Sequence, residues 1–371
     1  MNFWSAVIIA VFVLFALSDI FLITRFSKFA LIKKISGEKR ALRAFFGFLI
    51  LALLTIVLCF TLDYINTVLI LIHLTIVWLI CEAAGLIIRK IRKKSFKRYY
   101  VGAAAILITA VYFALGAFFA YNVWEKDYSL ESDKLPGPLK VAMIADSHTG
   151  TTFDGEGFAR HLEEIQKTSP DLLVIAGDFV DDDTTKEDME RCCEALGSFE
   201  TKYGIYFSFG NHDNGYFDYR NFTGNELVES LEKNGVVVLR DKAVLVDDLF
   251  YVVGRKDKSE SLYGSQRAEI GELVSGLDAS KYIIVIDHQP ADYAAEAAAG
   301  VDLVLSGHTH GGQMLVVEQV MELTGQNDMI YGIKDIDDTS FIVTSGISDW
   351  AIKFKTCCRS EYVIININGD R

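Results

Sequence analysis

The stretch LLVIAGD at residues 172–178 consists of five apolar residues followed by a glycine and a carboxylate. A short apolar run that ends at a turn residue is typical of a buried β-strand. Similar runs alternate with helical stretches over residues 139–371. Because strand–helix alternation predicts sheets covered by helices, we expect an α/β (α+β) layered domain here, with central mixed β-sheets flanked by helices.

The other elements predicted in this region follow the same alternation. The further strands are predicted at residues 139–145, 204–209, 250–254, 282–286, 303–306, 341–344 and 362–367. The helices are predicted at residues 156–167, 184–199, 225–233, 265–275 and 291–299.

Metal-binding residue types follow five of these strands. The carboxyl ends of strands in an open α/β sheet converge on one crevice, which is where such sheets bind their ligands. Five of the seven histidines in the chain lie in these short blocks. The blocks are Asp146-Ser147-His148, Gly177-Asp178, Gly210-Asn211-His212-Asp213, Asp287-His288 and Gly307-His308-Thr309-His310.

The mixture of residue types in these blocks indicates a site for two metal ions. A carboxylate can bridge two divalent cations, a neutral imidazole suits Mn, Fe or Zn, and an Asn carbonyl adds a neutral oxygen. A pair of metals ~3.5–4 Å apart lowers the pKa of a bridging water and holds a phosphate for in-line attack. The glycines at 177, 210 and 307 suit a chain that turns sharply beside a crowded site, since they have no Cβ.

The five blocks, taken together and in this order, resemble the calcineurin-like metallophosphoesterase superfamily. The longer strings GHTHGGQ at residues 307–313 and HQP at residues 288–290 are similar to its membrane-anchored bacterial branch. The resemblance covers about residues 139–367. It implies a calcineurin-like metallophosphoesterase domain over residues 139–371 and two divalent metal ions, with Mn²⁺ favoured and Zn²⁺ or Fe as alternatives.

The resemblance also implies a role for individual residues of this chain. One metal is expected to bind Asp146, His148 and His310. The other is expected to bind Asn211, His288 and His308, with Asp178 bridging the two.

Two further residues are expected to act in catalysis by the same resemblance. His212 would contact the phosphate and protonate the leaving oxygen, as a positioned general acid does. Asp181 matches the carboxylate that orients this histidine. The Arg-Gly pair that follows it in the protein-phosphatase branch is replaced here by Asp182-Asp183, which argues against a protein phosphatase. Asp213 is left unassigned, because a cap of the segment after His212 would be enough to account for it.

The first 121 residues contain four apolar runs, each near the ~20 residues that a helix needs to span the hydrocarbon core. The runs cover residues 3–24, 45–62, 68–88 and 101–121. We therefore predict a four-helix transmembrane region at residues 1–121 and a connector at residues 122–138. Asp19, His73 and Glu82 lie inside the predicted helices; either Asp19 and Glu82, at similar depth, meet and share a proton, or each of the three finds a hydroxyl, backbone or headgroup partner near the interface.

The distribution of charge predicts how these helices are oriented. Residues 1–124 hold 14 Lys and Arg against 4 Asp and Glu, whereas residues 125–371 hold 22 against 45. The basic residues follow helices 1 and 3, while the link at residues 63–67 has none, so both basic connections are expected in the cytoplasm. They are Arg25, Lys28, Lys33, Lys34, Lys39, Arg40 and Arg43, and then Arg89, Lys90, Arg92, Lys93, Lys94, Lys97 and Arg98.

The cysteines and two loops leave alternatives open. Cys192-Cys193 and Cys357-Cys358 either form a bridge between the pairs or, for the first pair, pack in a helix. The aromatic loop at residues 215–222 and the apolar stretch at residues 314–336 either face a lipid or pack in the core.

These observations predict a multi-pass cell-membrane phosphoesterase with an extracytoplasmic catalytic domain. The expected substrate is a phosphate monoester or diester: a phospholipid, a lipid-linked phosphate or a nucleotide-type ester. The acidic C-terminal part lacks the basic face that nucleic-acid binding requires, and the high apolar content excludes a disordered chain. The alternatives are a catalytically silent metal- or phosphate-binding sensor module that regulates the membrane bundle and, less favoured, a transporter with a regulatory domain.

Reporter fusions test the predicted orientation. Alkaline phosphatase is active only outside the cytoplasm, and green fluorescent protein is fluorescent only inside it. We expect fluorescence from fusions after Ser36, and phosphatase activity from fusions after Ile65 and Asn122, because the cytoplasmic side retains the Lys- and Arg-rich connections. The opposite pattern at all three positions would show that the charge rule fails for this chain.

Overall fold

The computed structural model describes residues 3–93, 99–216, 220–314 and 325–369. The chain divides into two compact units, Met1–Leu115 and Gly116–Arg371. Lys94, Lys97 and Arg98 of the second basic connection lie outside the described residues, as do parts of the two loops for which a lipid-facing role was considered.

Helices account for the N-terminal part of the chain. They are α1 (Phe3–Phe26), α2 (Ala30–Ser36), α3 (Arg40–Thr61), α4 (Tyr64–Arg92) and α5 (Tyr100–Tyr121). Four of them, all but α2, are long and apolar enough to cross a membrane, which confirms the four predicted spans. The short helix α2 was not predicted. Helix α4 continues beyond its apolar run through Arg92, because cations at a helix C-terminus are favourable against the helix dipole.

Glu82 of α4 has side-chain partners of its own, as the second of the two predicted alternatives requires. Its carboxylate pairs with Arg25 at 2.8 Å and Lys28 at 3.1 Å and accepts a hydrogen bond from the Tyr99 hydroxyl at 3.0 Å. His73 is bound through Nδ1 to the carbonyl of Leu69 at 2.8 Å. Glu82 therefore has basic and hydroxyl partners in place of a proton shared with Asp19.

Two six-stranded sheets make up most of the C-terminal unit. The first has the order β1-β12-β2-β3-β4-β5, and the second has the order β10-β11-β9-β8-β7-β6. The strands of the first are β1 (Val123–Ser132), β2 (Leu139–Ile144), β3 (Leu172–Ala176), β4 (Ile205–Ser208), β5 (Val236–Leu239) and β12 (Ser360–Gly369). Those of the second are β6 (Lys242–Val246), β7 (Phe250–Gly254), β8 (Tyr282–Ile286), β9 (Leu303–Ser306), β10 (Gly332–Ile336) and β11 (Thr339–Val343).

Parallel strands form the centre of both sheets. Strands β2 to β5 run parallel to one another, and so do β7, β8, β9 and β11. Strands β12, β10 and β6 add antiparallel pairings. The mixed sheets therefore agree with the predicted class.

Alternating side chains of each strand divide between two apolar layers. Val141 and Met143 face a cluster that includes residues of the second sheet, whereas Ala142 and Ile144 pack with the helices on the other side. Because side chains alternate with period two along a strand, a strand that is apolar throughout is buried on both faces. The result is a sandwich of two sheets with a helix layer on each outer face. The helices are α6 (Gly155–Gln166), α7 (Lys186–Gly197), α8 (Gly224–Lys233), α9 (Ile270–Val274) and α10 (Tyr293–Ala298).

Strand β1 departs from the expectation of a connector at residues 122–138. It pairs in parallel with β12 over ten positions, from Val123 with Ser360 to Ser132 with Gly369. An edge strand exposes alternate residues, so its polar sequence resembles a linker. Strands β5, β6 and β10 were likewise not predicted, and the helix expected at residues 265–275 is reduced to α9.

The layer between the sheets is expected to dominate the stability of this unit. Leu305 on β9 is fully buried in it, while Leu245 on β6 is 41% exposed. Leu305→Ala should lower the free energy of unfolding by about 2–5 kcal/mol, because it removes buried methyl groups and leaves a cavity. Leu245→Ala is the matched control and should change it by less than about 1 kcal/mol. Denaturant titration of both variants in detergent measures the difference, and equal losses would contradict this packing.

Candidate metal centre

Nine residues predicted for the site follow the carboxyl ends of five parallel strands. Strands β2, β3 and β4 belong to one sheet, and β8 and β9 to the other. The residues are Asp146 and His148 after β2, Asp178 and Asp181 after β3, Asn211 and His212 after β4, His288 after β8, and His308 and His310 after β9. The contacts below bring all nine into one region.

Several residues that follow the carboxyl ends of these strands have a left-handed backbone conformation. Asp146, Asp178, His308 and His310 all have positive φ values, between 49° and 72°. Residues with a Cβ rarely adopt this left-handed region, and such outliers concentrate at functional sites, where the surrounding structure holds them in place.

Glycines allow the strand ends to approach each other closely. A Cβ on Gly177 would lie 2.7 Å from the Cα of Gly210 and 2.7 Å from Nδ1 of His288. A Cβ on Gly210 would lie 2.8 Å from Cγ of Asp178, and Gly307 is equally crowded. The steric role expected for these three glycines is therefore confirmed.

One group of donor atoms surrounds the amide oxygen of Asn211. This oxygen lies 3.1 Å from Nε2 of His288 and 2.9 Å from Nδ1 of His308. The other ring nitrogen of His288, Nδ1, bonds to the carbonyl of Ala176 at 2.8 Å, which leaves Nε2 directed towards the group. Burial, followed by the charge of His288, lowers the pKa of His308 to about 3. His308 is therefore held as the neutral imidazole that a metal requires.

A second group consists of Asp146, His148 and His310. One potential ligand atom from each lies within 4.8 Å of the others. Nε2 of His148 and Nδ1 of His310 are buried and have no hydrogen-bond partner among the described residues. Because a buried polar atom without a partner costs about 1–3 kcal/mol, these orphaned nitrogens and the nearby carboxylate fit a divalent cation.

The Asp178 carboxylate lies between the two groups. Its Oδ2 is 3.0 Å from Nε2 of His288 in the first group and 3.5 Å from Nε2 of His148 in the second. Its Oδ1 accepts a hydrogen bond from the backbone N–H of His212 at 2.8 Å. These distances are compatible with the bridging role expected of Asp178.

Asp181 contacts two histidines where the sequence suggested one. Its carboxylate oxygens lie 3.0 Å from Nδ1 of His212 and 3.1 Å from Nδ1 of His148. Burial raises the pKa of Asp181, but the hydrogen bonds from both histidines outweigh burial and hold it well below its usual range. The carboxylate therefore stays ionised and orients both imidazole rings.

Asp213 connects the ends of β3 and β4. Its carboxylate accepts backbone N–H bonds from Asp178 at 2.9 Å, Phe179 at 2.8 Å and Gly210 at 2.7 Å. Burial and the charge of Asp178 raise its pKa to about 6. The sequence left Asp213 unassigned, and in the structure it caps the ends of both β3 and β4. In the sequence, the only local feature that pointed to this role was an acidic residue close to glycines.

His212 lies between two aromatic side chains. Its ring centroid is 4.9 Å from that of Tyr216 and 5.3 Å from that of Trp350. The Tyr216 hydroxyl accepts a hydrogen bond from the Asn211 amide at 3.0 Å. In the same loop Phe222 packs in the core, and residues 217–219 lie outside the described residues, as do residues 315–324 of the second loop. Sequence analysis missed Trp350, since it follows β11 and is far from His212 in the chain.

Asp287 faces away from the metal-binding groups, although it precedes His288. Its carboxylate pairs with Arg255 at 2.9 Å and with Arg267. Arg255 also pairs with Glu296 at 3.1 Å. These buried charges join the ends of β7 and β8 to α10, so Asp287 supports the strand end that carries His288.

All six cysteines are free thiols. Cys192 and Cys193 are buried in the core between α7 and the first sheet. The structure therefore favours helix packing for this pair over a bridge to Cys357 and Cys358.

Comparisons with known proteins give the same assignment. Residues 139–312 match the model of the family described as calcineurin-like phosphoesterase. A metallophosphoesterase of Campylobacter jejuni is 28% identical over 247 residues, which cover 66% of this chain and 63% of that protein. A transmembrane protein with metallophosphoesterase domain from Danio rerio is 27% identical over 272 residues, which cover 69% of this chain and 60% of that protein. The chain thus spans less than two thirds of both relatives.

Two solved structures are also similar to part of this chain. A Thermus thermophilus protein matches with a TM-score of 0.38 at 10% identity, over 57% of this chain and 89% of that one. A dimetal phosphatase from Danio rerio matches with a TM-score of 0.35 at 12% identity, over 55% and 86% of the two chains. The C-terminal domain of this chain is thus similar to the calcineurin-like phosphoesterase family, both in the match over residues 139–312 and in its curated relatives.

Proposed function

We propose that this protein is a membrane-bound, metal-dependent phosphoesterase with a centre for two divalent cations. The observation that best supports this proposal is the position of the Asp178 carboxylate, which lies within 3.5 Å of imidazole nitrogens from two separate donor groups. Asp146, His148 and His310 would hold one cation, and Asn211, His288 and His308 the other. The nitrogen and oxygen donors suit Mn²⁺, Fe or Zn²⁺, and Mn²⁺ is our first choice.

When bound, such a pair of cations supplies an activated water and neutralises the charge of a phosphate. The remaining work belongs to the chain itself. Asp178 and the backbone N–H of His212 are joined by a hydrogen bond of 2.8 Å, so the general acid is positioned by the bridging ligand. Asp181 holds Nδ1 of His212, which leaves Nε2 to donate a proton to the leaving oxygen of the ester.

The substrate is proposed to be a phosphate monoester or diester on the extracytoplasmic side of the membrane. Retention of the predicted ligands and of His212 supports turnover over a silent sensor module, which would not need the acid. The basic connections after α1 and α4 support the orientation.

The removal of His212 tests this function. Full-length protein loaded with Mn²⁺ should hydrolyse chromogenic phosphate esters, and a chelator should abolish the reaction. His212→Ala should lower kcat by about 10²–10⁴-fold, since the leaving group loses its proton donor. His161→Ala is the matched control, because His161 is a partly buried helix residue outside the site. A monoester and a diester should be assayed in parallel to establish the preference. Equal rates for the His212 variant and the unaltered protein would refute the catalytic assignment.

The carboxylate of Asp213 provides a separate prediction on metal binding. Asp213→Asn removes a charged acceptor for four backbone N–H groups that fix the loops of Asp178 and Asn211. Partners of this kind are typically worth 10–100-fold in metal affinity, and we expect a loss of about that size in Mn²⁺ titrations.

Asp302→Asn is the control for this experiment. Asp302 also accepts a backbone N–H bond, from Ile283 at 2.8 Å. It lies directly before β9, however, and therefore at the amino end of the strand, whereas the proposed metal-binding residues follow the carboxyl ends. An Asp213 variant that binds Mn²⁺ as tightly as the Asp302 variant would show that the strand ends hold their geometry without this carboxylate.

A further inference from the structure

The loop that follows β11, residues 345–356, begins against the metal-binding residues. We call it the Trp350 loop. The backbone N–H of Ser348 donates to the carbonyl of Asp146 at 3.2 Å, and that of Ile347 donates to Ala145 at 2.9 Å. Gly346 has a φ of 79°, and a Cβ on it would lie 2.8 Å from Cβ of Asp146. The beginning of the loop is therefore fixed to the segment that carries a predicted ligand.

The other end of the Trp350 loop lies on the last turns of α5. The backbone N–H of Lys355 donates to the carbonyl of Gly116 at 3.0 Å. A Cβ on Gly116 would lie 3.1 Å from Cγ2 of Thr356 and 3.3 Å from Cβ of Phe354. The absence of a side chain at position 116 thus allows the loop to touch the helix backbone.

The position of Gly116 places this contact near the membrane surface. Helix α5, Tyr100–Tyr121, is one of the four candidate spans. Gly116 is five residues from its end, or about 8 Å at 1.5 Å per residue. Trp350 precedes Phe354 by four residues and therefore lies within about 14 Å of it along the chain. The Trp350 loop is consequently close to the boundary between hydrocarbon and water.

A buried lysine holds the loop in this shape. Lys355 is fully buried, and its Nζ donates to the carbonyls of Ser345 at 2.6 Å and Gly346 at 3.3 Å. It also pairs with the buried carboxylate of Asp349 at 3.4 Å. Because a buried charge is costly without partners, these contacts close the loop across its base and hold the segment that carries Trp350.

Exposed aromatic side chains mark the same boundary. Trp350 is 46% exposed although it lies against the general acid His212. On the last turns of α5, Phe118 and Tyr121 are exposed as well, and the ring of Trp124 lies 5.7 Å from that of Phe118. Trp and Tyr are enriched where a protein crosses the membrane–water interface.

From this geometry we propose that the substrate is a phosphate ester of a membrane lipid and that Trp350 packs against its apolar leaving part. The proposal rests on the phosphoesterase function above. A bond from the water oxygen to phosphorus forms as that water gives up one proton to solvent, and the bond between phosphorus and the lipid oxygen breaks. The proton of His212 passes to the leaving lipid alcohol, which stays in the bilayer, and His212 regains a proton from solvent. The phosphate therefore reaches the metal centre without extraction of the lipid.

Paired substrates test this inference with full-length protein in phosphatidylcholine vesicles. Phosphatidate and phosphatidylglycerol are compared with glycerol phosphate and glycerophosphoglycerol, which carry the same reacting groups without acyl chains. We expect kcat/KM to be at least about tenfold higher for one of the lipids than for its soluble counterpart. Trp350→Ala should lower that value about tenfold, mainly through KM, because a large aromatic contact is lost, and Trp350→Phe should restore most of it.

The contact with α5 supplies a matched pair of variants. Gly116→Leu should lower kcat/KM for the lipid, since the new side chain displaces Phe354 and Thr356. Ala114→Leu adds the same side chain at an exposed position of the same helix and should have little effect. Equal effects of the two variants would contradict a coupling between this helix and the loop.

Fluorescence provides a readout that does not depend on turnover. The difference in emission between unaltered protein and Trp350→Phe reports on Trp350, and brominated lipids should quench it. If this emission is not quenched and the soluble esters are hydrolysed as fast as the lipids, the lipid proposal is overturned while the phosphoesterase function stands. If Mn²⁺-loaded protein hydrolyses none of these esters or the chromogenic ones, the proposed function itself fails, and the lipid proposal fails with it.

Discussion

The apolar layer between the two sheets fixes where the strands of this domain end. Side chains such as Val141 on β2 and Leu305 on β9 are fully buried in one cluster. Because both faces of each sheet are covered, a slip of one residue would exchange a strand's side chains between the two apolar layers and disrupt the packing of both. The carboxyl ends of parallel strands from both sheets therefore meet, and residues as far apart as Asp146 and His308 come within hydrogen-bond distance. The metal centre depends on this register.

At the strand ends the structure gathers groups that would be unfavourable together in a dry interior. Three buried carboxylates, Asp146, Asp178 and Asp213, lie beside several imidazoles, and burial is the largest cause that raises the pKa of Asp146 and Asp213. Asp178 departs from this trend, because neighbouring histidines lower its pKa despite burial. The arrangement carries an electrostatic cost that the proposed divalent cations would relieve, and the left-handed backbone of several proposed ligands adds to this cost.

The local pattern of apolar residues in the sequence was sufficient to predict most of the buried strands. Strands β3, β7 and β8 contain no charged or amide side chain, and β9 is apolar except for Ser306; the predicted bounds of all four agree with the structure. Strand β1 escaped prediction because it is a polar edge strand whose pairing with β12 is determined by residues more than 230 positions away. The nine site residues were predicted by chemistry and family resemblance, whereas Asp213 and Trp350 were not assigned. Their roles depend on which backbone groups and which ring they meet, and no spacing in the chain encodes those contacts.

The parallel pairing of β1 with β12 also bears on how the chain is made. Strand β1 begins two residues after α5 ends, while its partner starts at Ser360. A ribosome that has delivered α5 to the membrane must synthesise more than 200 further residues before β1 can pair. During this interval the segment behind the helix has an unpaired edge next to the bilayer. Its consecutive charges of alternating sign, Glu125, Lys126 and Asp127, are of the kind that disfavours edge-to-edge pairing with other strands.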